Sequence, residues 1–286
     1  MNSLLFKILN AGLMVLIPLI VGFFLSRRVE TAFKIIGAGI LAFLGAQALH
    51  IPFNQCLLNP ALRRWGLLDG EGQIHLMIFA VIVGLSAGIF EEGGRYLVYR
   101  FWLGGERSWR EGLLFGLGHG GVESVLLGLV VFYALGQALV YSSGDLENLL
   151  SPGQVELARA QLEVYWGMPW YDSLLGALER VAALSFHIGA AVIVLQALKR
   201  ENILWLGAAI VWHAALNALA VFGVRTWGVY KVEGILLAFG ALSWVAACLL
   251  RGSGEGQGGV RPPPLFELND LDVEVDSEQV DESKYV

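Results

Sequence analysis

Seven apolar runs separated by short polar connections dominate the pattern of this chain. A transmembrane helix needs about 20 predominantly apolar residues, and each run is close to that length or longer. The predicted helices cover residues 8–25, 33–53, 75–99, 111–139, 173–197, 203–222 and 230–250. No small-residue cleavage site follows the first run, so we interpret it as a retained helix rather than a signal peptide. The predicted fold class is all-α, a polytopic membrane helix bundle with about seven transmembrane helices.

Composition supports this prediction and separates a terminal segment from the bundle. Of the 286 residues 56% are hydrophobic and 15% charged, with a mean hydropathy of +0.62. From Arg251 onward nine acidic residues stand against three basic ones, which accounts for the whole net charge of −6. Such a Gly-, Pro- and acid-rich segment cannot bury enough apolar surface to offset its ordering entropy. We therefore predict a transmembrane domain over residues 1–250 and a disordered acidic cytoplasmic tail over 251–286.

Basic residues in the connections predict the orientation of the bundle. The connections after the first, third and fifth predicted helices carry eight Lys and Arg residues, against five on the other side. The N-terminus is therefore predicted outside and the C-terminus inside a bacterial or archaeal plasma membrane. The acidic chain has no basic patch with interleaved aromatic residues, which argues against nucleic-acid binding and leaves the lipid bilayer as the predicted surroundings.

The longest connection, residues 140–172, is predicted to contain a further helix that begins at Ser151 and Pro152. Its apolar residues fall on one face, Val155, Ala158, Leu162, Tyr165 and Trp166. We interpret it as a helix that lies on the membrane surface. The alternative is a lid over a substrate cleft. The cysteines Cys56 and Cys248 are predicted at opposite faces of the membrane, so we expect neither a disulfide between them nor a cysteine-based metal site.

The candidate chemistry lies inside the predicted helices, where ionisable side chains are costly and mark functional sites by default. The third helix carries Glu91, Glu92 and Arg95; the fourth, His119 and Glu123; the fifth, His187; the sixth, His213 and Asn217. Since successive helices run in opposite directions, a rise of about 1.5 Å per residue places these groups in one layer nearer the cytoplasmic face. Residues four apart share a helix face, which pairs Glu91 with Arg95, His119 with Glu123, and His213 with Asn217.

Glycines recur at a spacing of four beside these residues. Gly84 and Gly88 precede the glutamates, and Gly112, Gly116 and Gly120 surround His119. Small residues at this spacing let helix backbones approach closely, which a site shared between helices requires. Glycine spacing of this kind also serves packing alone.

For some ionisable residues a non-catalytic role is considered as well. His187 has no clear partner at helical spacing, so a hydrogen-bonding role between helices is the alternative to a functional one. Glu179 and Arg180 are interpreted as an interfacial or structural pair, and His50 and His75 lie at predicted helix ends, where water is expected to reach them. These last four residues are excluded from the site.

These motifs resemble the CAAX-protease and bacteriocin-processing superfamily of intramembrane proteases. The segments that carry the resemblance are Glu91-Glu92-Gly-Gly-Arg95, Phe115-Gly-Leu-Gly-His119-Gly-Gly-Val-Glu123, Phe186-His187 and His213-Ala-Ala-Leu-Asn217. The fuller pattern is similar to the YhfC branch of intramembrane metalloproteases, over residues 75–222, and more distantly to PrsW proteases. The spacing from Glu92 to Arg95 matches PrsW-type rather than CAAX-type members.

The resemblance implies a buried water activated for attack on a peptide bond. It implies that Glu91 or Glu92 acts as general base, that His119 and His213 are the paired histidines, and that Asn217 stabilises an oxyanion. Arg95 and Glu123 complete the candidate catalytic set. The predicted substrate is a membrane protein or a lipidated peptide.

The residues themselves leave the mechanism open. Three histidines, His119, His187 and His213, are candidate zinc ligands, and with a glutamate they would satisfy a catalytic zinc site. The soluble zincin pattern is absent, which favours a metal-free glutamate mechanism. Two other functions also suit a buried polar layer, namely a proton-coupled transporter or a non-catalytic membrane scaffold.

Overall fold

Helices account for nearly all of the regular structure in the computed structural model, which describes residues 2–27, 29–68, 70–105 and 108–252. Ten α-helices follow one another along this part of the chain. They are α1 (Asn2–Ser26), α2 (Ala32–Phe53), α3 (Asn59–Arg64), α4 (Gln73–Phe101), α5 (Trp109–Ser143), α6 (Leu146–Leu149), α7 (Pro152–Gly167), α8 (Leu175–Lys199), α9 (Leu204–Thr226) and α10 (Val229–Leu249). The predicted all-α class is thus confirmed.

Seven helical segments of the described residues are long and apolar enough to cross a membrane, in agreement with the seven predicted spans. They contain α1, α2 continued into α3, α4, α5, α8, α9 and α10. Large apolar side chains are exposed over the outside of the bundle, among them Phe24, Leu97 and Val211. A surface of this kind suits hydrocarbon rather than water, so the chain is an integral membrane protein.

The second span is longer than predicted. A π-helical turn, Asn54–Leu58, joins α2 to α3, so the helix continues to Arg64 instead of ending near residue 53. Pro52 lies inside α2 just before this turn, and a proline there removes one backbone donor from the helical ladder. The wider π turn accommodates that loss without ending the helix.

The short helix predicted in the longest connection is confirmed as α7. Pro152 is its first residue, and the backbone N–H of Ser151 donates to Oε1 of Gln154 at 3.2 Å. Val155 and Ala158 of its apolar face are buried. Trp166 donates from Nε1 to the Ser142 hydroxyl at 2.8 Å, which fastens α7 to the end of α5. We call this end of the bundle the α7 end.

The fifth span, α8, is the central helix. Its apolar window is 78% buried, against 17–39% for the other six spans. The main core cluster joins α8 to α5, through residues such as Leu113, Phe115, Val192 and Leu195. A central α8 places His187 inside the bundle.

Glycines set the closest contacts between helices, as predicted. An added Cβ at Gly88 would lie 2.7 Å from the Ile210 carbonyl oxygen of α9, and one at Gly116 would lie 2.5 Å from Ile188 Cα of α8. Both separations are shorter than a side-chain carbon tolerates. α4 therefore packs on α9, and α5 on α8, at a distance that only glycine permits at these positions.

The remaining predictions concern the termini and the cysteines. The acidic tail lies outside the described residues, apart from Arg251 and Gly252. Cys56 and Cys248 are both free thiols, which confirms that they form no disulfide.

Candidate active site

Four transmembrane helices bring buried ionisable side chains into one cluster. α4 supplies two carboxylates and a guanidinium, and α5, α8 and α9 supply one imidazole each. The members are Glu91, Glu92, Arg95, His119, His187 and His213. We call these six residues the inner cluster. Polar groups from four helices therefore meet at one place, as the sequence predicted. Their catalytic roles stay predictions.

Glu91 presents its two carboxylate oxygens to different neighbours. Oε1 accepts a hydrogen bond from Nε2 of Gln47 at 3.0 Å. Oε2 lies 3.1 Å from Nε2 of His119 and 3.8 Å from Nε2 of His213. The second distance is too long for a direct hydrogen bond and leaves room for a bridging water.

Glu92 is fully buried and points to other partners. Its Oε1 lies 2.6 Å from Nδ1 of His213, and its Oε2 lies 3.3 Å from Nη1 of Arg95. A carboxylate only accepts hydrogen bonds, so Nδ1 of His213 donates to it. In a neutral imidazole the lone pair of His213 is then on Nε2, the atom that faces Glu91.

Arg95 fixes the protonation pattern of the other two imidazoles. Its Nη2 lies 2.6 Å from Nδ1 of His187, and its Nε donates to Nδ1 of His119 at 3.4 Å. Because arginine only donates, both Nδ1 atoms accept and the Nε2 atoms carry the protons. Nη1 of Arg95 also donates to the His187 backbone carbonyl at 3.3 Å, so the guanidinium ties α4 to α8.

Glu123 extends the network toward the α7 end, with partners other than the one its spacing predicted. The sequence paired it with His119 on the same helix face. In the structure its Oε2 lies 2.6 Å from Nε2 of His187, and its Oε1 accepts from Nη1 of Arg180 at 2.7 Å. Arg180 in turn binds Glu179, as the sequence predicted for that pair. The two side chains continue the site toward the surface.

A cavity of about 150 Å³ adjoins the inner cluster. Glu91, His187 and His213 line its inner part, together with Asn217. The rest of the lining comes from Glu123 of α5 and from the halves of α8, α9 and α10 nearer the α7 end, with Ala182, Ala183, Ala220 and Leu236 as apolar members and Glu179 and Arg180 as polar ones. Glu179, whose side chain is 40% exposed, carries the cavity to the surface. Neither Glu92 nor any residue of α7 is among the residues that line it.

The donor groups suit a metal ion in kind and in spacing. Ligand atoms of Glu91, His119 and His187 lie within 4.8 Å of one another. Two imidazoles and a carboxylate are a ligand set that catalytic zinc uses. His213 has the arrangement of a metal-bound histidine as well, because its Nδ1 donates to a carboxylate and orients Nε2. Both nitrogens of His187 already have partners, so metal binding there would replace its contact with Arg95 or with Glu123.

Several residues of this region were missed or misplaced by the sequence analysis. Glu179 and Arg180, which were excluded from the site, line the cavity. His187, a predicted member of the polar layer and candidate zinc ligand, lies within the inner cluster, between Arg95 and Glu123. His50, expected to meet water at a helix end, is 8% exposed because the helix continues past it. Gln47 was not considered at all, although Gln47, His50 and Asn54 share one helix face in an apolar span, which was a readable signal. His75 is exposed, as expected.

The fold and the cluster define a polytopic membrane protein with carboxylates and imidazoles buried among its helices. Comparison with known proteins agrees with that class. Residues 13–236 match the model of a family described as YhfC intramembrane metalloprotease. The chain is 32% identical over 253 residues to the uncharacterized membrane protein YhfC of Bacillus subtilis (strain 168), which covers 85% of this chain and 95% of the relative. No solved structure matches.

This chain belongs to the YhfC intramembrane metalloprotease family. The matched region is wider than the segment from 75 to 222 that carried the resemblance, and it includes most of α1 and all of α2. The comparisons concern the YhfC family only, so the relation to CAAX-type and PrsW-type proteases stays an expectation.

Proposed function

We propose that this protein is an intramembrane protease that hydrolyses a peptide bond of a membrane protein or lipidated peptide with a water activated at Glu91. One observation carries the proposal. The buried Glu91 carboxylate forms part of the inner wall of a cavity that also exposes two imidazoles and the Asn217 side chain. The family description, intramembrane metalloprotease, agrees with this chemistry.

Glu91, rather than Glu92, is the proposed base. Glu91 and His213 both line the cavity, and Oε2 of Glu91 lies 3.8 Å from Nε2 of His213, a separation that one water can bridge. As the oxygen of that water bonds to the peptide carbonyl carbon, its proton passes to Oε2 and the carbonyl π electrons move to the carbonyl oxygen. The same proton then passes to the leaving amine as the C–N bond breaks. Glu92 is enclosed by His213 and Arg95 and has no access to the cavity.

The other cavity residues have supporting roles in this proposal. Asn217 lies one helical turn beyond His213, so its amide can donate to the oxyanion that develops on the carbonyl oxygen. Glu92 orients His213 through Nδ1. Arg95 holds His119 and His187 in the tautomer whose Nε2–H groups point at Glu91 and Glu123.

Metal dependence is the finer question within this proposal. Glu91, His119 and His187 would hold the ion, with His213 as a further candidate. A divalent ion at this position would polarise the peptide carbonyl and make bound water more acidic. In that case Glu91 would be a ligand instead of the base, and any Nε2 atom of His119 or His187 that bound the ion would have to lose its proton. The role of Asn217 is the same in either case.

One observation favours a proton-coupled transporter as the second candidate. Charged and imidazole side chains lie within 4 Å of one another in a series from Glu91 through Arg95, His187 and Glu123 to Arg180, toward the surface at the α7 end. Such a series also suits a proton path. Arginine keeps its proton in proteins, however, so two of the five members would not relay one.

The deciding experiment compares peptide cleavage with proton flux for the same purified protein in liposomes. Single-span peptides of varied sequence are incubated with the parent protein and with Glu91→Gln, and new termini are identified by mass spectrometry. We expect cleavage by the parent that is lost in Glu91→Gln, with no proton flux above that of empty liposomes. Glu147→Gln, at an exposed position near α7, is the matched control. Proton flux without peptide cleavage would contradict the proposed protease and favour the transporter.

The same assay separates the two mechanisms. A zinc chelator and its non-chelating isomer are added to the parent protein, and the metal content is measured before and after. Loss of cleavage with the chelator alone, restored by zinc, supports a metal-dependent enzyme. Full activity of protein without metal supports the glutamate mechanism.

A further inference from the structure

A second group of polar side chains lies between the second span and α4, next to Glu91. We call these residues the α2–α4 seam, namely Gln47, His50, Asn54 and Ser86. Gln47 of α2 donates from Nε2 to Oε1 of Glu91 at 3.0 Å. One turn further, Nδ2 of Asn54 lies 2.9 Å from Nε2 of His50, and the hydroxyl of Ser86 on α4 donates to Oδ1 of Asn54 at 3.1 Å. Oγ of Ser86 also lies 3.0 Å from Nε2 of His50. These three residues contact one another rather than the glutamate.

The α2–α4 seam gives the two oxygens of Glu91 distinct surroundings. Oε1 meets a neutral amide donor, whereas Oε2 lies beside His119 and beside His213, which lines the cavity together with Glu91. An amide N–H holds a carboxylate without adding a charge beside it. The bond also persists when Glu91 is protonated on Oε2, because Oε1 is then a carbonyl oxygen that still accepts.

Aromatic contacts on either side of Gln47 hold this part of α2 in place. On the same face of α2, the Phe43 ring packs edge-on against the imidazole of His119 at 5.2 Å. Phe90 of α4 stacks on His50 with ring centroids 5.0 Å apart. α2 therefore contacts the helices of the inner cluster on both sides of Gln47 along its length, which fixes the position of the Gln47 backbone relative to Glu91.

We propose that Gln47 is the positioning residue of the catalytic carboxylate. By donating to Oε1 it holds the Glu91 side chain in one rotamer and leaves Oε2 as the oxygen that receives the proton of the attacking water. This inference rests on the proposed function, since it assigns a role within peptide hydrolysis. It adds α2 to the helices that build the active site.

The test uses three substitutions at position 47 in the full chain. Gln47→Met keeps the length of the side chain and removes the donor, Gln47→Glu keeps the shape and replaces the donor with an acceptor, and Gln47→His returns a ring N–H at a similar reach. On a peptide that the parent protein cleaves, we expect Met and Glu to lower kcat by about 10- to 100-fold, because loss of alignment by about 1 Å has effects of this size. KM should stay within about twofold, since Gln47 does not line the cavity. The His variant should recover most of kcat.

Gln55→Met is the matched control, an exposed glutamine two turns further along the same span. It should keep the parent kcat. If Gln47→Met fails to fold, Gln47→Glu tests the same role with an isosteric side chain. Three results would each overturn the inference. The first is the parent kcat in Gln47→Met or Gln47→Glu, the second is a change in KM without a change in kcat, and the third is an equal loss of kcat in the Met and His variants.

Thermal unfolding supplies a measurement that does not depend on cleavage. If Gln47 and Glu91 interact, the melting-temperature losses of Gln47→Met and Glu91→Met, each of which removes one partner of the hydrogen bond, should fall short of additivity in the double variant. Strict additivity would contradict the contact. A parent protein that cleaves no peptide would refute the proposed function and the role of Gln47 with it, whereas cleavage that ignores Gln47 would refute only the role.

Discussion

Replacing Gly116 with alanine should disable the site without touching any of its polar atoms. Gly116 lies on α5 and faces α8, where an added Cβ would stand 2.5 Å from Ile188 Cα and 2.7 Å from the His187 carbonyl oxygen. Ordinary carbon contacts begin at about 3.5 Å, so the two helices would have to separate by about 1 Å. The obstacle is backbone, so no side-chain rotation relieves it.

The displacement acts on the inner cluster directly. The backbone carbonyl of His187 accepts a hydrogen bond from Nη1 of Arg95 at 3.3 Å, and the His187 imidazole lies between Arg95 and Glu123. A shift of about 1 Å at a catalytic geometry costs on the order of 100-fold in rate. Overpacking of a dense interior costs about 1–3 kcal/mol of stability. We therefore expect Gly116→Ala to lose most of its activity and to melt at a lower temperature.

Gly136→Ala on the same helix is the matched control. Gly136 is exposed, and nothing lies within 4 Å of its added Cβ. Alanine is the better helix former, so this variant should keep its activity and be at least as stable as the parent. Cleavage rates and melting curves of both variants, measured in one detergent, test the reasoning. Parent-like activity in Gly116→Ala would show that the spacing of α5 and α8 does not set the geometry of the site.

Three further predictions concern the cavity and the orientation. Glu91→Gln should lower turnover by about 100- to 10,000-fold with little change in melting temperature. Glu92→Gln should mainly lower the melting temperature, because a neutral amide replaces the carboxylate in its buried contacts with Arg95 and His213; equal turnover in the two variants would contradict the choice of Glu91. Ala220→Phe should fill much of the cavity of about 150 Å³ and lower kcat/KM at least tenfold, while Val211→Phe on the exposed outer surface should be silent in the same assay. Reporter fusions after Arg251 should be cytoplasmic and fusions in α7 external; the reverse result would place the cavity mouth on the cytoplasmic side.

The spans could be predicted from the sequence because the bilayer imposes one strong requirement, a long apolar helix for each crossing. The start of α7 was also readable, since Ser151 and Pro152 have local preferences for a helix N-terminus. The extension of the second span to Arg64 could not be predicted. Pro52, Pro60 and the polar residues between them are typical of the end of a helix.

Membership of the inner cluster was partly readable, but its pairing was not. Counting the rise along antiparallel helices places Glu91, His119 and His213 at one depth. Spacing along one helix says only that two side chains share a face, and it does not say which neighbouring helix that face meets. This is why Glu123 was assigned to His119 and in fact binds His187 and Arg180.

The choice between the adjacent glutamates depends on the rotation of α4 about its own axis. Neighbouring residues of a helix point about 100° apart, so only one of the two can face the cavity. The contacts of Gly84 and Gly88 with the backbone of α9 fix that rotation. Such contacts are tertiary, so the glycine spacing predicted close approach without predicting which partner helix was approached.

Charge balance in the inner cluster connects the geometry to the question of the metal. Glu91 and Glu92 carry two negative charges and Arg95 one positive charge, which leaves an excess of one negative charge when the imidazoles are neutral. A buried uncompensated charge is costly, so the cluster has a driving force to take up one more positive charge. A proton on an imidazole supplies it in a metal-free enzyme, and a divalent cation beside Glu91 supplies it in a metal-dependent one. The two mechanisms are therefore alternative solutions to the same electrostatic requirement.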